Sequence, residues 1–202
     1  MHSRIDLVVG LGNPGPDYEY TRHNTGFWFV DALAQSMGAT FKPATRFHGQ
    51  VAEVSFDTHR GRLLKPVTFM NRCGHAVVAM IRYYKIAPEN VLVVHDDIDL
   101  PPGAVRLKQG GGDGGHNGLR DIISALEGNR DFMRLRIGVG HPGSADEVVD
   151  YVLHRPSRDD EEIIRNMIHD VIKLVPAIAN GETEKVMNQL HRRVKPSPPP
   201  VS

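Results

Sequence analysis

The chain has 202 residues, with 24 Lys+Arg balancing 24 Asp+Glu, and a single cysteine, Cys73. That length fits one domain with a sizeable core, while zero formal charge excludes a globally basic nucleic-acid binder and leaves only local patches for such contacts. One cysteine excludes an internal disulfide, and no run nears the roughly 20 apolar residues of a membrane span or forms a secretory leader, so a cytoplasmic protein with no membrane partner is expected.

Short β-rich runs alternate with helical stretches along the chain. A strand is predicted over Ile5–Gly10, followed by a long polar loop and an amphipathic helix over Phe27–Met37, with Phe27, Val30, Leu33, Ala34 and Met37 on one face. Strands follow at Gly49–Phe56 and Arg62–Lys65, a helix at Gly74–Tyr84, strands at Val91–His95 and Val105–Lys108, a helix at Leu119–Leu126 and a strand at Arg134–Gly140. Ser157 is placed to cap a helix whose first turn holds Asp159 to Glu162. That helix carries Ile163, Ile164, Met167, Val171 and Leu174 and is expected to stop near Asn180-Gly181. A last short helix is predicted from about Thr183 to His191, and the ending KPSPPPVS reads as disordered. Alternation of this kind argues for an α/β sandwich on a mostly parallel or mixed sheet.

Gly10, Gly12 and Gly15 stand in the order of a dinucleotide fingerprint. In that motif the glycines open a helix at once, and an acid about 20 positions on ends a second strand. Here Pro14 and Pro16 bracket the last glycine, and Asp31 falls inside the amphipathic helix. An oxidoreductase holding NAD is therefore disfavoured, and the glycines read instead as shaping a tight loop that presents Asn13 and His23.

Polar residues collect where strands give way to loops, the usual place for function in parallel α/β sheets. TRHNTG lies after the first strand, PVTFMNRCG after Lys65, HDDIDLPPG after the run VLVV, and QGGGDGGHNGL after Lys108. A strand-end carboxylate can hold one imidazole nitrogen and leave the other as a base. Asp96, first after the buried run, is best placed to do this for His23, whereas Asp97 and Asp99 read as loop or turn groups. No G-x-S-x-G elbow, H-E-x-x-H motif or cysteine pair is present, and HDDID reads as a solvated acidic turn rather than a Mg²⁺ site. Water activated by His23 is then the expected nucleophile. Asn13, Asn71 and Asn117 offer uncharged donors and acceptors that suit an amide-rich substrate and a developing oxyanion. A non-catalytic RNA-binding module would leave this collection without a purpose.

With these loops assembled, the chain resembles the bacterial peptidyl-tRNA hydrolases over about Arg4 to His191. The resemblance rests on VGLGNPGPDYEYTRHNTGFWFVD, KPVTFMNRCG, HDDIDLPPGAVRLKQGGGDGGHNGLRDI and RLRIGVGHPG, in that order. It implies a single-domain, three-layer α/β/α sandwich around a twisted mixed sheet, over residues 1–193, with 194–202 as a tail outside the pattern. It implies hydrolysis of the ester joining a peptide to the 3′-terminal ribose of tRNA, by a monomer that needs no cofactor or metal. Its partner would be peptidyl-tRNA, met at the acceptor end and 3′-CCA. Carried over by position, His23 is the general base and Asp96 its orienting acid, and Asn13, Asn71 and Asn117 hold peptide, ester and water. Tyr18, Phe69, Met70 and His116 wall the cleft. Lys108 and Arg136, with Arg106 close by, contact tRNA phosphate, and Arg130, Arg134, Arg192 and Arg193 are weaker candidates. Asp97 and Cys73 stand where the family more often has Glu and Ser, and neither is assigned chemistry.

Overall fold

The computed structural model describes residues 4–192; the tail expected at 194–202, and Arg193, lie outside them. The strands are β1 (Leu7–Gly10), β2 (Lys42–Ala44), β3 (Gly49–Phe56), β4 (His59–Pro66), β5 (Val91–Asp97), β6 (Val105–Gln109) and β7 (Met133–Gly138). The helices are α1 (Thr25–Ser36), α2 (Gly74–Tyr84), α3 (Asn117–Ala125), α4 (Val148–Val152), α5 (Arg158–Ile172), α6 (Val175–Ala179) and α7 (Thr183–Arg192). The strands form one mixed sheet in the order β2-β3-β4-β1-β5-β7-β6. Its centre, β4-β1-β5-β7, is parallel, and antiparallel pairs close both edges.

β1 and the first four residues of β5 are apolar without alternation because helices cover both faces. In β5, Leu92 and Val94 pack with Phe29, Leu33, Ile164 and Ile168 of α1 and α5 on one face. Val91 and Val93 pack with Val77, Met80, Leu119 and Ile122 of α2 and α3 on the other. The three-layer sandwich is thus built from two cores that share one sheet. Asp96 has the parity of Leu92 and Val94, so it faces the layer that contains α1.

Three elements depart from the expected pattern. β2 has no strand signal in the sequence, since Lys42, Pro43 and Ala44 make a poor strand, tolerated at a sheet edge. The helix capped by Ser157 breaks at Lys173–Leu174, and α6 starts again with Pro176 in its first turn. Proline has no N–H for the preceding turn and is favoured where a helix begins. α4 is a further turn of helix that no periodicity announced. Among the described residues no helix is long and apolar enough to cross a membrane.

The start of α1 lies almost against the sheet. A Cβ on Gly26 would stand 2.4 Å from the carbonyl oxygen of Val94 and 2.5 Å from the amide nitrogen of Leu11. A Cβ on Gly10 would stand 2.4 Å from the carbonyl oxygen of Gly26. Two glycines therefore allow backbone to touch backbone, which brings the turn before α1 within reach of the end of β5. Gly26→Ala is expected to lower stability by about 1–3 kcal/mol, because main-chain atoms have no rotamer with which to yield. A denaturant midpoint unchanged from wild type would contradict this packing.

Candidate active site

His23 belongs to a single 3-10 turn, Arg22–Asn24, that leads into α1. Its Nδ1 lies 2.9 Å from Asp96 Oδ1 and 3.0 Å from Oδ2. Both residues are buried, with 7% and 3% of their surface exposed. Nδ1–H donates to the carboxylate, which fixes the tautomer and leaves Nε2 with a lone pair. A second imidazole reaches the same acid, since His116 Nε2 lies 2.9 Å from Asp96 Oδ1. His116 Nδ1 accepts from the backbone N–H groups of Gly118 and Leu119 at 3.1 and 3.3 Å. Its ring hydrogen must therefore sit on Nε2 and donate to Asp96, so His116 caps α3 and braces the acid at once. The resemblance cast it only as a cleft wall.

Burial alone would raise the Asp96 carboxyl pKa, but His23 and His116 outweigh it and hold the group far below the usual carboxylate range. Burial likewise opposes charge on His23, and Asp96 overcomes it, raising that pKa above 6.5. His95, behind them, is driven well below its ordinary value by burial and then by His116. Its Nδ1 bonds the main-chain oxygen of Asp96 at 2.7 Å, and its Nε2 is buried without a partner.

The asparagines are set by different means. Asn13 is held from three directions: its Oδ1 accepts from Met70 N–H at 2.7 Å, its own N–H donates to Asn24 Oδ1 at 2.8 Å, and Asn24 Nδ2 donates to its carbonyl at 2.9 Å. With the oxygen so used, the amide group offers its NH₂ to the cleft. Asn117 Oδ1 accepts from Arg120 Nη1 at 3.1 Å, so it too is left as a donor. Asn71 is exposed in the turn Met70–Arg72. Asn24, inside TRHNTG, carries no sequence signal for this role; its partner, 11 positions away, is visible only in three dimensions.

A cleft of about 1040 Å³ collects these groups. Asn13, Tyr18, His23, Phe69, Met70, Asn71, Asp96, Lys108, His116, Asn117 and Arg136 all line it. Tyr18 and Phe69 meet edge to face at 6.1 Å. Arg106 does not line the cleft; it pairs across the β6–β7 ladder with Arg136, as Lys108 does with Arg134. All four basic residues thus share one face of that ladder. Arg134 is spent on structure, its guanidinium donating to the carbonyls of Gly111 and Gly112 in the glycine loop before α3. Asp97, read as a turn group, does accept the N–H of Asp99 at 2.9 Å, but its other oxygen binds Arg136 Nε at 2.7 Å. Cys73 is buried, and burial pushes its thiol well above the ordinary range, so it is no nucleophile; it fills core space. Among the described residues, the only metal-type cluster is His23, Asp96 and His116, with ligand atoms within 4.8 Å of one another. In the hydrogen-bonded arrangement both imidazoles turn an N–H, not a lone pair, toward the carboxylate.

The chain is similar to known proteins over most of its length. The family model described as peptidyl-tRNA hydrolase matches residues 7–198. A peptidyl-tRNA hydrolase of Bordetella petrii is 53% identical over 194 residues, covering 95% of this chain and 92% of its own. That of Methylococcus capsulatus is 52% identical over 187 residues, covering 93% and 99%. The crystal structure of peptidyl-tRNA hydrolase from Acinetobacter baumannii superposes with a TM-score of 0.90 at 45% identity, over 94% of this chain and 96% of that one.

The raised His23 pKa has a direct readout. In an NMR titration the His23 ring is expected to titrate above 6.5, where protonation is favoured by the carboxylate. Asp96→Asn removes that charge and leaves the burial, so the midpoint should fall below 6.5. A midpoint that stays put in Asp96→Asn would mean that the pair is not electrostatically coupled.

Proposed function

This chain belongs to the peptidyl-tRNA hydrolase family, and on that premise we propose that it hydrolyses the ester between a peptide and the 3′-terminal ribose of tRNA. The observation that carries the reading is the buried His23–Asp96 pair at 2.9 Å, which lines one cleft together with three asparagines. His23 Nε2 takes a proton from water as the water oxygen attacks the ester carbonyl. Asn13, with Asn71, donates to the oxyanion of the tetrahedral intermediate. The intermediate collapses with cleavage of the ester bond, and the 3′-oxygen leaves with the proton from His23. The products are a free peptide carboxyl and a tRNA 3′-hydroxyl, which returns to use tRNA lost from stalled ribosomes.

The same groups explain a preference for blocked amines. A free aminoacyl ester carries an ammonium where a peptide has an amide, and desolvating that charge against neutral asparagines is costly. Asn117 suits the peptide or the attacking water, and Tyr18, Phe69 and Met70 suit the walls around the acyl group. Lys108 and Arg136 are placed to hold tRNA phosphate near the acceptor end, with Arg106 beside them. The bond to Asp97 uses Arg136 Nε and leaves its Nη groups for an anion. We read the working form as a cytoplasmic monomer that uses neither cofactor nor metal, because the imidazole–carboxylate pair supplies the base.

The test is release of N-acetyl-amino acid from N-acetyl-aminoacyl-tRNA in excess chelator. Wild type should retain its rate, and His23→Ala should lose about 10²–10⁴ of it. Normal turnover by folded His23→Ala, or loss of wild-type activity on chelation, would overturn the mechanism. Lys108→Ala and Arg136→Ala should raise KM and flatten its dependence on salt while sparing kcat. Wild-type KM and salt slope in both variants would remove them from the RNA surface.

A further inference from the structure

Three consecutive residues of the turn before α1 leave it in three directions. His23 goes to Asp96 on β5, and Asn24 goes to Asn13 beyond β1. Arg22 goes to α4. It is buried, with 8% of its surface exposed, and Nη1 donates to the carbonyls of Tyr151, His154 and Arg155 at 2.9, 3.2 and 3.3 Å. Its own N–H donates to the carbonyl of His154 at 3.1 Å. Its guanidinium carbon lies 3.7 Å over the ring of Tyr151. The N–H groups of this buried cation thus meet main-chain carbonyls at or just past the C-terminal end of a helix, where the backbone is negatively polarised.

α4 needs such an anchor. It has five residues, far below the about 12–15 at which an isolated helix is even marginal in water. Yet Val148, Val149, Val152 and Leu153 form an apolar part of the cleft's lining. Val149 is 64% exposed, so little core packing holds its side chain. The second anchor is Tyr151, whose hydroxyl donates to the carbonyl of Val139 at 2.8 Å. Val139 in turn donates its N–H to the carbonyl of Asp97 at the end of β5.

From this geometry we propose that Arg22 is a positioning residue for the substrate: it docks the α4 wall onto the turn that carries His23, so that the acyl group is gripped at a set distance from the base. The inference rests on the hydrolase reading above. Arg22 does not line the cleft; it acts through α4. Its sequence position beside His23 is then a mechanical necessity, since one turn must hold both the base and the wall.

The experiment measures steady-state hydrolysis of N-acetyl-aminoacyl-tRNA by full-length wild type, Arg22→Met, Arg22→Lys and Tyr151→Phe, each with and without Val149→Ala. Arg22→Met keeps the aliphatic stem and loses the fork, so KM should rise on the order of tenfold with kcat and the acid limb of the pH profile nearly unchanged. Arg22→Lys should recover part of the loss, because a single ammonium can reach fewer carbonyls. Tyr151→Phe, the milder change, should shift KM the same way by less. Val149→Ala should raise KM in wild type and add little in Arg22→Met, since a wall already undocked has nothing more to lose. Unchanged KM in Arg22→Met, a loss confined to kcat, or full additivity with Val149→Ala would each overturn the proposal. Should Arg22→Met fail to fold, the cycle between Tyr151→Phe and Val149→Ala decides by the same criteria. An inactive wild type would sink the hydrolase reading, whereas an active wild type with indifferent variants would sink only this inference.

Discussion

A carboxylate buried to 3% exposure can remain charged only if its oxygens are met by donors. Asp96 meets two, one from His23 and one from His116. That requirement draws together the end of β5, the turn before α1 and the first turn of α3. Each donor has a second duty that depends on the first. His23 can offer Nε2 as a base only while Nδ1–H is held, and His116 can cap α3 only while its hydrogen is on Nε2. One buried charge therefore sets two tautomers and the placement of a helix that begins with Asn117.

Around this charge the cleft is built mainly from groups that do not titrate. Asn13 is locked by Met70 and Asn24, Asn117 is steered by Arg120, and both turn donors inward. Cations that could compete for the space are committed elsewhere. Arg134 braces the glycine loop and Arg22 braces α4, both through main-chain carbonyls. The β6–β7 ladder nonetheless sets Arg106 opposite Arg136 and Lys108 opposite Arg134. Like charges across a ladder are unfavourable, and here the cost is eased because Asp97 pairs with Arg136 and loop carbonyls take up Arg134. What remains is a cleft with basic side chains at Lys108 and Arg136 and an apolar wall at Val148, Val149, Val152 and Leu153.

The glycines near the start of the chain show how one local pattern can serve two ends. In a dinucleotide fold such residues let a helix N-terminus approach a pyrophosphate. Here Gly10 lets the main chain of α1 approach β1, and a side chain on Gly12 would collide with the Phe27 ring. Gly15, at φ +104°, turns the loop that leads through Tyr18 to His23. Close approach is the shared physical property, and the two prolines tell the cases apart.

Much of the sheet could be read directly. Uninterrupted apolar runs at Val8 and Val93 mark strands buried on both faces, and the spacing of apolar residues in Gly74–Tyr84 matches a helix of those same bounds. Many of the residues that line the cleft could be named too, because they lie at strand ends or on the loops that follow. What the sequence could not express was partnership. That His116 serves Asp96, that Asn24 fixes Asn13, and that Arg22 reaches a helix about 130 residues away are facts of distance, created when the sheet order puts β1, β5 and β7 side by side. Residue types and their periodicity are local properties and survive in a string of letters. The pairing of donors with acceptors, and with it the direction of every proton in this site, exists only once the chain has closed on itself.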